Sequence, residues 1–241
     1  MPAVFVHGVP DTPAVWRPTL AHLSRKDIVT LRLPGFGCAA PAGFAATKEA
    51  YAAWLIGELR GIEGPIDLVG HDWRALLVYR AVSLEPGLVR SWTGGGAPLD
   101  PDYVWHDMAQ TWQKPGAGEE MMAQIVPAAM AIGLAAQGQR KGVAEESANA
   151  LDDTMKACIL SLYRSAVNVG SEWFADLARV TAPGLVIFGE RDPYVNPSFG
   201  EKLAKNTGAE FTLIRDCGHW WEAERPVETA SALEAFWKAV G

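Results

Sequence analysis

The feature that most constrains this chain is the turn at residues 70–74, with sequence GHDWR, which lies between a strand pattern and a helical pattern. The strand pattern covers residues 65–69 and the helical pattern covers residues 75–82. A small residue two positions before a reactive one, where a strand gives way to a helix, is typical of a nucleophile elbow. Here the raised side chain is the carboxylate of Asp72. A carboxylate can displace a leaving group at saturated carbon and form an alkyl ester with the protein.

Strand and helix patterns alternate along most of the chain. Strand patterns cover residues 2–6, 28–33, 65–69, 88–92, 184–188 and 210–214, and further helical patterns cover 47–59 and 226–240. Because strands that alternate with helices form parallel sheets covered on both faces, the sequence predicts an α/β fold with a doubly wound, mostly parallel sheet.

Residues 100–169 interrupt this alternation. The stretch has no convincing strand pattern and is rich in Ala, Met, Gln and Trp, a composition that favours helices. We predict that residues 100–169 form a helical cap inserted above the carboxyl edge of the sheet. Residues 1–99 and 170–241 are then the core domain.

Charge and composition argue against several kinds of partner. The net charge of −7 disfavours nucleic acid. No apolar run reaches the roughly 18–20 residues that a membrane span needs, and no secretion signal is recognisable. The three cysteines lack metal-binding spacing, which indicates reduced thiols and a cytoplasmic protein. No cofactor is expected, and residues 94–98 read as a loop that lacks the dinucleotide-binding spacing.

Polar residues collect where the predicted strands end, and ligands bind at the carboxyl ends of strands in such sheets. Residues 7–10 follow the first strand, Asp72 the third, Asp192 the fifth and His219 the sixth. Nucleophile, acid and histidine occur in this chain order in triads on such sheets, so we predict that the three converge. Glu190 is the alternative acid. Taken singly, each residue also fits an ordinary role as a helix cap, a turn cap or a core histidine.

Together these motifs resemble the α/β-hydrolase superfamily, in particular the branch with an aspartate nucleophile that includes epoxide hydrolases and haloalkane dehalogenases. The resemblance covers nearly the whole chain and is weakest in the cap. It rests on the motifs at residues 7–10, 33–37, 70–73, 189–193 and 218–220, with sequences HGVP, LPGFG, GHDW, GERDP and GHW.

The resemblance implies that Asp72 attacks an electrophilic carbon and that His219, oriented by Asp192, activates the water that hydrolyses the ester. The backbone N–H groups of Val9 and Trp73 are the expected oxyanion donors. The Val9–Pro10 peptide is expected to be cis, as in similar loops.

Two departures from the family pattern stand out. Arg74 occupies a position where the family usually has a small residue, and a cation in the first turn of a helix opposes the macrodipole. Arg74 is therefore either accommodated structurally or directed at a carboxylate or an anionic group of the substrate. The chain also begins at the HGVP strand, so the N-terminal strand hairpin common in the family is expected to be missing.

The choice of substrate depends on what stabilises the leaving group. An epoxide oxygen needs proton donors, which in the resembling enzymes are cap tyrosines, and Tyr163 fits that context better than Tyr103. A halide needs indole or amide N–H groups, which Trp105 could supply. Trp220 is a further expected contact.

The expected partner is a small apolar electrophile, with epoxide hydrolysis favoured over the alternative of a haloalkane or haloacid dehalogenase. A catalytically inactive ligand-binding protein of the same fold is the alternative from another class.

Overall fold

The computed structural model describes residues Met1 to Gly241 and contains one six-stranded sheet with the strand order β2-β1-β3-β4-β5-β6. All neighbouring strands are parallel. The strands are β1 (Ala3–Val6), β2 (Ile28–Leu31), β3 (Asp67–His71), β4 (Ser91–Gly95), β5 (Gly184–Gly189) and β6 (Glu210–Ile214). The predicted doubly wound parallel α/β fold is confirmed.

Helices cover both faces of the sheet. They are α1 (Arg17–Leu20), α2 (Lys48–Arg60), α3 (Trp73–Leu84), α4 (Asp107–Gln113), α5 (Ala117–Gln124), α6 (Pro127–Ala136), α7 (Lys141–Ala150), α8 (Asp153–Ser165), α9 (Val169–Trp173), α10 (Pro197–Thr207), α11 (Trp221–Glu224) and α12 (Pro226–Val240). None of them combines the length and the apolar character that crossing a bilayer requires.

The sheet separates two hydrophobic cores. Val4 and Val6 of β1 belong to one buried cluster, whereas Ala3 and Phe5 belong to the other. Successive side chains of a strand point to opposite faces, so a strand buried on both sides reads as a continuous apolar run. This explains why the first strand was recognisable from sequence.

Two strands lie further along the chain than predicted. β3 extends to His71, and β4 includes Gly94 and Gly95, which the sequence had placed in a loop. A Cβ atom on Gly95 would lie 1.7 Å from the carbonyl oxygen of Ile187, so only glycine allows β4 and β5 to pair so closely. The prediction failed because glycine is rare in strands, and because the requirement for glycine at this position is imposed by β5, which lies far away in the sequence.

Between β4 and β5 the chain forms helices α4–α9 and a 3₁₀ segment, Phe174–Arg179, and no strand. Helices α4–α8 fall within the stretch predicted as an insertion. Along the chain they follow β4, the strand that carries Gly94 and Gly95.

Candidate active site

The turn after β3 has the geometry of an elbow. Asp72 has φ 55° and ψ −131°, and α3 begins at the next residue. Positive φ is strained for a residue with a side chain and tends to occur at functional sites. A Cβ atom on Gly70 would lie 2.7 Å from the carbonyl oxygen of Arg74, so the small residue two positions earlier lets α3 fold back onto β3.

The two carboxylate oxygens of Asp72 have different surroundings. Oδ1 accepts a hydrogen bond of 2.7 Å from the backbone N–H of Val9. Oδ2 lies 3.6 Å from Nε2 of His219. The Val9–Pro10 peptide is cis, as predicted. The backbone N–H of Trp73 also helps to lower the pKa of Asp72, although the two groups do not meet hydrogen-bond geometry.

His219 lies between two carboxylates. Its Nδ1 is 2.8 Å from Oδ2 of Asp192. The other oxygen of Asp192 accepts hydrogen bonds from the backbone N–H groups of Tyr194 and Val195, at 2.8 and 3.0 Å, which fix the acid in place. The alternative acid Glu190 instead pairs with Arg215 and the backbone N–H of Asp216 at the surface.

The charges of this group reinforce one another. Burial alone would lower the pKa of His219, but Asp192 and Asp72 outweigh it and raise that pKa well above its ordinary value. Burial alone would raise the pKa of Asp72, but the nearby positive charge of His219 prevails and lowers it. The resting site therefore holds an imidazolium between two carboxylates.

A cavity of about 370 Å³ opens above the elbow, and most of the residues that line it are hydrophobic. Of the predicted site residues, those that line it are Val9, Asp72, Trp73, Tyr103, Trp105, Tyr163, His219 and Trp220. Asp192 lies behind His219 and does not reach the cavity. No Lys, Arg or Glu lines it, so the cavity suits a neutral, apolar molecule.

Arg74 does not reach this cavity, and the prediction that it contacts substrate is wrong. Its side chain is fully buried, with the guanidinium 4.7 Å from the ring centre of Phe36 and 5.7 Å from that of Tyr51. None of its nitrogen atoms has a hydrogen-bond partner, and no carboxylate pairs with it. Burial lowers its pKa to about 10. The fold therefore accommodates Arg74 structurally, through cation–π contacts with these two rings.

The aromatic candidates differ in whether their polar atoms are free. The Tyr103 hydroxyl donates to the carbonyl oxygen of Tyr194 at 3.2 Å, and the Trp105 indole N–H donates to that of Ala166 at 3.2 Å. Tyr163 donates no hydrogen bond to the protein, and burial raises its pKa well above the ordinary value, so it keeps its proton. Of the two predicted tyrosines, only Tyr163 has an uncommitted hydroxyl.

Three ring contacts hold Tyr163 in place. Its ring centre lies 5.3 Å from that of Trp73, 5.4 Å from Trp105 and 4.9 Å from Trp112. The indole N–H of Trp73 lowers the pKa of Tyr163, although the two groups do not meet hydrogen-bond geometry. The tyrosine is thus fixed by packing while its hydroxyl stays available.

Sequence reasoning missed His106, which also lines the cavity. Its Nδ1 caps α4 by accepting the backbone N–H of Ala109 at 3.3 Å, so the ring proton lies on Nε2. Burial lowers the pKa of His106 and outweighs the opposing effect of Asp72, which keeps the ring neutral. The sequence feature that could have identified His106 is its position directly after Trp105, near the start of the predicted insertion.

Tyr194 was also missed. Its ring centre is 5.0 Å from that of His219, and its hydroxyl bonds to the side chain of Gln137. It lies two residues after Asp192, so its position near the site follows from that of the acid. No cluster of three or more metal-binding side chains is present.

Comparison with known proteins agrees with this architecture. The sequence model described as the alpha/beta hydrolase family matches residues 3–232, so the chain belongs to that family. A comparison with curated proteins gives no match.

Solved structures of similar fold carry different activities. A thermophilic esterase from Thermogutta terrifontis has 20% identity and TM-score 0.80, and the match covers 100% of this chain and 90% of the esterase. The Cif epoxide hydrolase from Acinetobacter nosocomialis has 20% identity and TM-score 0.82, with coverage of 98% and 82%. An enol-lactonase from Burkholderia xenovorans LB400 has 16% identity and TM-score 0.77, with coverage of 98% and 91%. At these identities the likeness shows the fold alone.

Proposed function

We propose that this hydrolase uses Asp72 as a nucleophile and that its substrate is a small, neutral, apolar epoxide. One observation carries the proposal: the Val9 N–H holds one oxygen of Asp72, while the other oxygen faces His219. The expected oxyanion donor Val9 thus binds an oxygen of the protein's own carboxylate. That arrangement suits a reaction in which the ester to be hydrolysed is formed on Asp72 itself.

In the first step, Oδ2 of Asp72 attacks an epoxide carbon and the carbon–oxygen bond of the ring breaks. The departing oxygen takes a proton from the hydroxyl of Tyr163 or from Nε2 of His106. Both groups line the cavity, and both retain their protons at neutral pH. The product of this step is a hydroxyalkyl ester of Asp72.

In the second step, His219 removes a proton from water, and the resulting hydroxide attacks Cγ of the ester. The oxyanion forms at Oδ1, where the N–H groups of Val9 and Trp73 stabilise it. Esterification removes the charge of Asp72 and so lowers the pKa of His219, which passes its resting proton to the deprotonated donor before this step and becomes the neutral base. Collapse releases a diol and regenerates the Asp72 carboxylate, and the proton taken from water leaves His219 as the imidazolium of the resting site.

Helices α4–α8 serve in this proposal as the cap over the site, with residues 100–169 as the insertion. The supporting observation is that Trp112, Met122 and Ile159 of these helices line the same cavity as Asp72 and His219. The three free cysteines support a cytoplasmic location.

Dehalogenation of a haloalkane is the second candidate. The indole N–H groups of Trp73 and Trp112 have no hydrogen-bond partner, and both residues line the cavity, where they could bind a departing halide. A haloacid is disfavoured because no Lys or Arg lines the cavity to bind its carboxylate, and the charge of His219 is already compensated by Asp192 and Asp72. A ligand-binding role without catalysis leaves the pairing of His219 with Asp192 unexplained.

Intact-mass spectrometry tests the proposal. His219→Gln is incubated with styrene oxide, 1-bromobutane or p-nitrophenyl acetate, beside Asp72→Ala and, as a matched control, the exposed His22→Gln. We expect His219→Gln to gain the full mass of the epoxide, Asp72→Ala to gain nothing, and His22→Gln to turn over without an adduct. A gain of only the butyl group from the bromide favours dehalogenation. An adduct that persists in Asp72→Ala contradicts the mechanism.

A further inference from the structure

A second histidine and carboxylate lie directly behind the triad. His71 is the last residue of β3 and Glu222 belongs to α11, and both are fully buried. Nδ1 of His71 lies 3.1 Å from Oε1 of Glu222. Nε2 of His71 lies 2.9 Å from the carbonyl oxygen of His219. The ring of His71 therefore joins Glu222 to the main chain of the candidate base.

The partners of His71 determine where its protons lie. A carbonyl oxygen only accepts hydrogen bonds, so Nε2 must carry a proton. On the other side of the ring, Nδ1 lies 3.1 Å from Oε1 of Glu222, although the two atoms do not meet hydrogen-bond geometry. His71 thus donates to the main chain of His219 through Nε2 and faces Glu222 through Nδ1.

Nothing else satisfies Glu222. Neither of its carboxylate oxygens has a hydrogen-bond partner, and His71 is the one basic side chain within 4 Å. A buried histidine–carboxylate pair of this kind adds little to stability compared with apolar residues of the same volume. Its retention is better explained by the position that it imposes on its neighbours.

The surroundings leave the His71 ring little freedom. Its centre lies 4.7 Å from that of His219 and 5.3 Å from that of Trp221. Gly96 has φ 67°, and a Cβ atom there would lie 2.8 Å from Nε2 of His71 and 3.2 Å from Cε1 of His219. The glycine backbone packs against both histidines where any side chain would separate them.

We propose that His71 and Glu222 are positioning residues: Glu222 lies against one side of the His71 ring, and His71 donates from its other side to the main chain of His219, so that together they set the distance from Nε2 of His219 to Asp72. The kinetic test of this inference rests on the proposed function, because it measures hydrolysis of the Asp72 ester. Hydrolysis of the ester depends on that distance, whereas attack by Asp72 does not require His219 to act as a base.

Rapid-quench intact-mass measurements separate the two steps. For Glu222→Leu we expect formation of the styrene oxide ester at close to the wild-type rate and hydrolysis slowed at least ~10-fold, since a misplacement of about 1 Å can cost about 100-fold. In Glu222→Gln the amide can donate to Nδ1 while Nε2 still donates to His219, so hydrolysis should recover towards the wild-type rate. The exposed Glu228→Leu is the matched control.

Two kinetic outcomes overturn the proposal: a folded Glu222→Leu that hydrolyses the ester at the wild-type rate, or a Glu222→Gln as slow as Glu222→Leu. Circular dichroism and the melting temperature of each variant report folding.

Nitrogen NMR of ¹⁵N-histidine-labelled protein tests the same proposal without substrate. In the wild type, Nε2 of His71, assigned by comparison with His71→Gln, should carry the proton that it donates to His219, and in Glu222→Gln it should still carry it. A bare Nε2 in the wild type overturns the proposal even if Glu222→Leu does not fold. If no adduct forms in His219→Gln, the proposed function fails and this measurement still decides on the pair.

Discussion

Nε2 of His219 lies 3.6 Å from Oδ2 of Asp72, the one carboxylate oxygen that the backbone N–H of Val9 does not hold. The separation is long for a hydrogen bond and short enough for strong attraction between charges. It leaves Oδ2 accessible from the cavity while its charge is maintained. The same relationship makes His219 sensitive to any reaction that neutralises Asp72.

Replacing Tyr163 should separate the two candidate leaving groups. Tyr163→Phe removes a proton donor for the epoxide oxygen, so the alkylation rate with styrene oxide should fall by about 10²-fold or more. Alkylation by 1-bromobutane should stay close to the wild-type rate, because a halide needs no proton. Rapid-quench mass spectrometry measures both rates.

Tyr103→Phe is the matched control for that experiment, since the Tyr103 hydroxyl already donates to a backbone carbonyl. We expect a smaller loss than for Tyr163→Phe. Equal losses would mean that neither hydroxyl is the specific donor.

The pH dependence of ester hydrolysis should differ from the titration of the resting enzyme. Asp72 and Asp192 raise the pKa of His219 in the free protein, and esterification removes the contribution of Asp72. Only neutral His219 can act as a base, so hydrolysis should accelerate as pH rises through a pKa lower than that of the free protein. Single-turnover rates and histidine NMR give the two values, and identical values would contradict the charge effect.

Asp11 should make stability depend on pH. It is fully buried, bonded to Gln139 and Trp220, and burial raises its pKa to about 6. Between the ordinary pKa of 3.8 and about 6, the folded state binds a proton that the unfolded state has lost, so stability falls as pH rises. The total change is on the order of 3 kcal/mol.

Asp11→Asn cannot titrate and should lack this part of the pH dependence. Urea unfolding of both proteins at pH 4, 5, 6 and 7 measures it. Parallel curves for wild type and variant would show that Asp11 is not responsible.

Arg74→Met tests the placement of Arg74 away from substrate. The variant removes a buried cation without a hydrogen-bond partner and keeps much of the apolar volume. We expect the free energy of unfolding to rise by on the order of 1 kcal/mol, because the relief of desolvation exceeds the lost cation–π contacts. KM for styrene oxide should not change. An increase in KM would contradict this placement and indicate that Arg74 affects substrate binding.

Much of the candidate site could be predicted because its residues are tied to strand ends. Asp72 and Asp192 follow buried strands and His219 follows the edge strand β6, and parallel strands bring their carboxyl ends to one edge. The strand boundaries were less predictable. Gly94 and Gly95 read as a loop because the reason for them, the close approach of β5 and of Tyr79, lies elsewhere in the chain.

The sequence by itself determined the parallel α/β fold, the elbow at Gly70 and Asp72, and the order of the groups along the sheet edge, since these depend on local periodicity and backbone sterics. Only the tertiary structure decided that Tyr163 and not Tyr103 has a free hydroxyl, that His106 faces the cavity, and that Arg74 packs on aromatic rings. The physical reason is that a polar side chain's role depends on which distant group satisfies it, and only packing sets that partner.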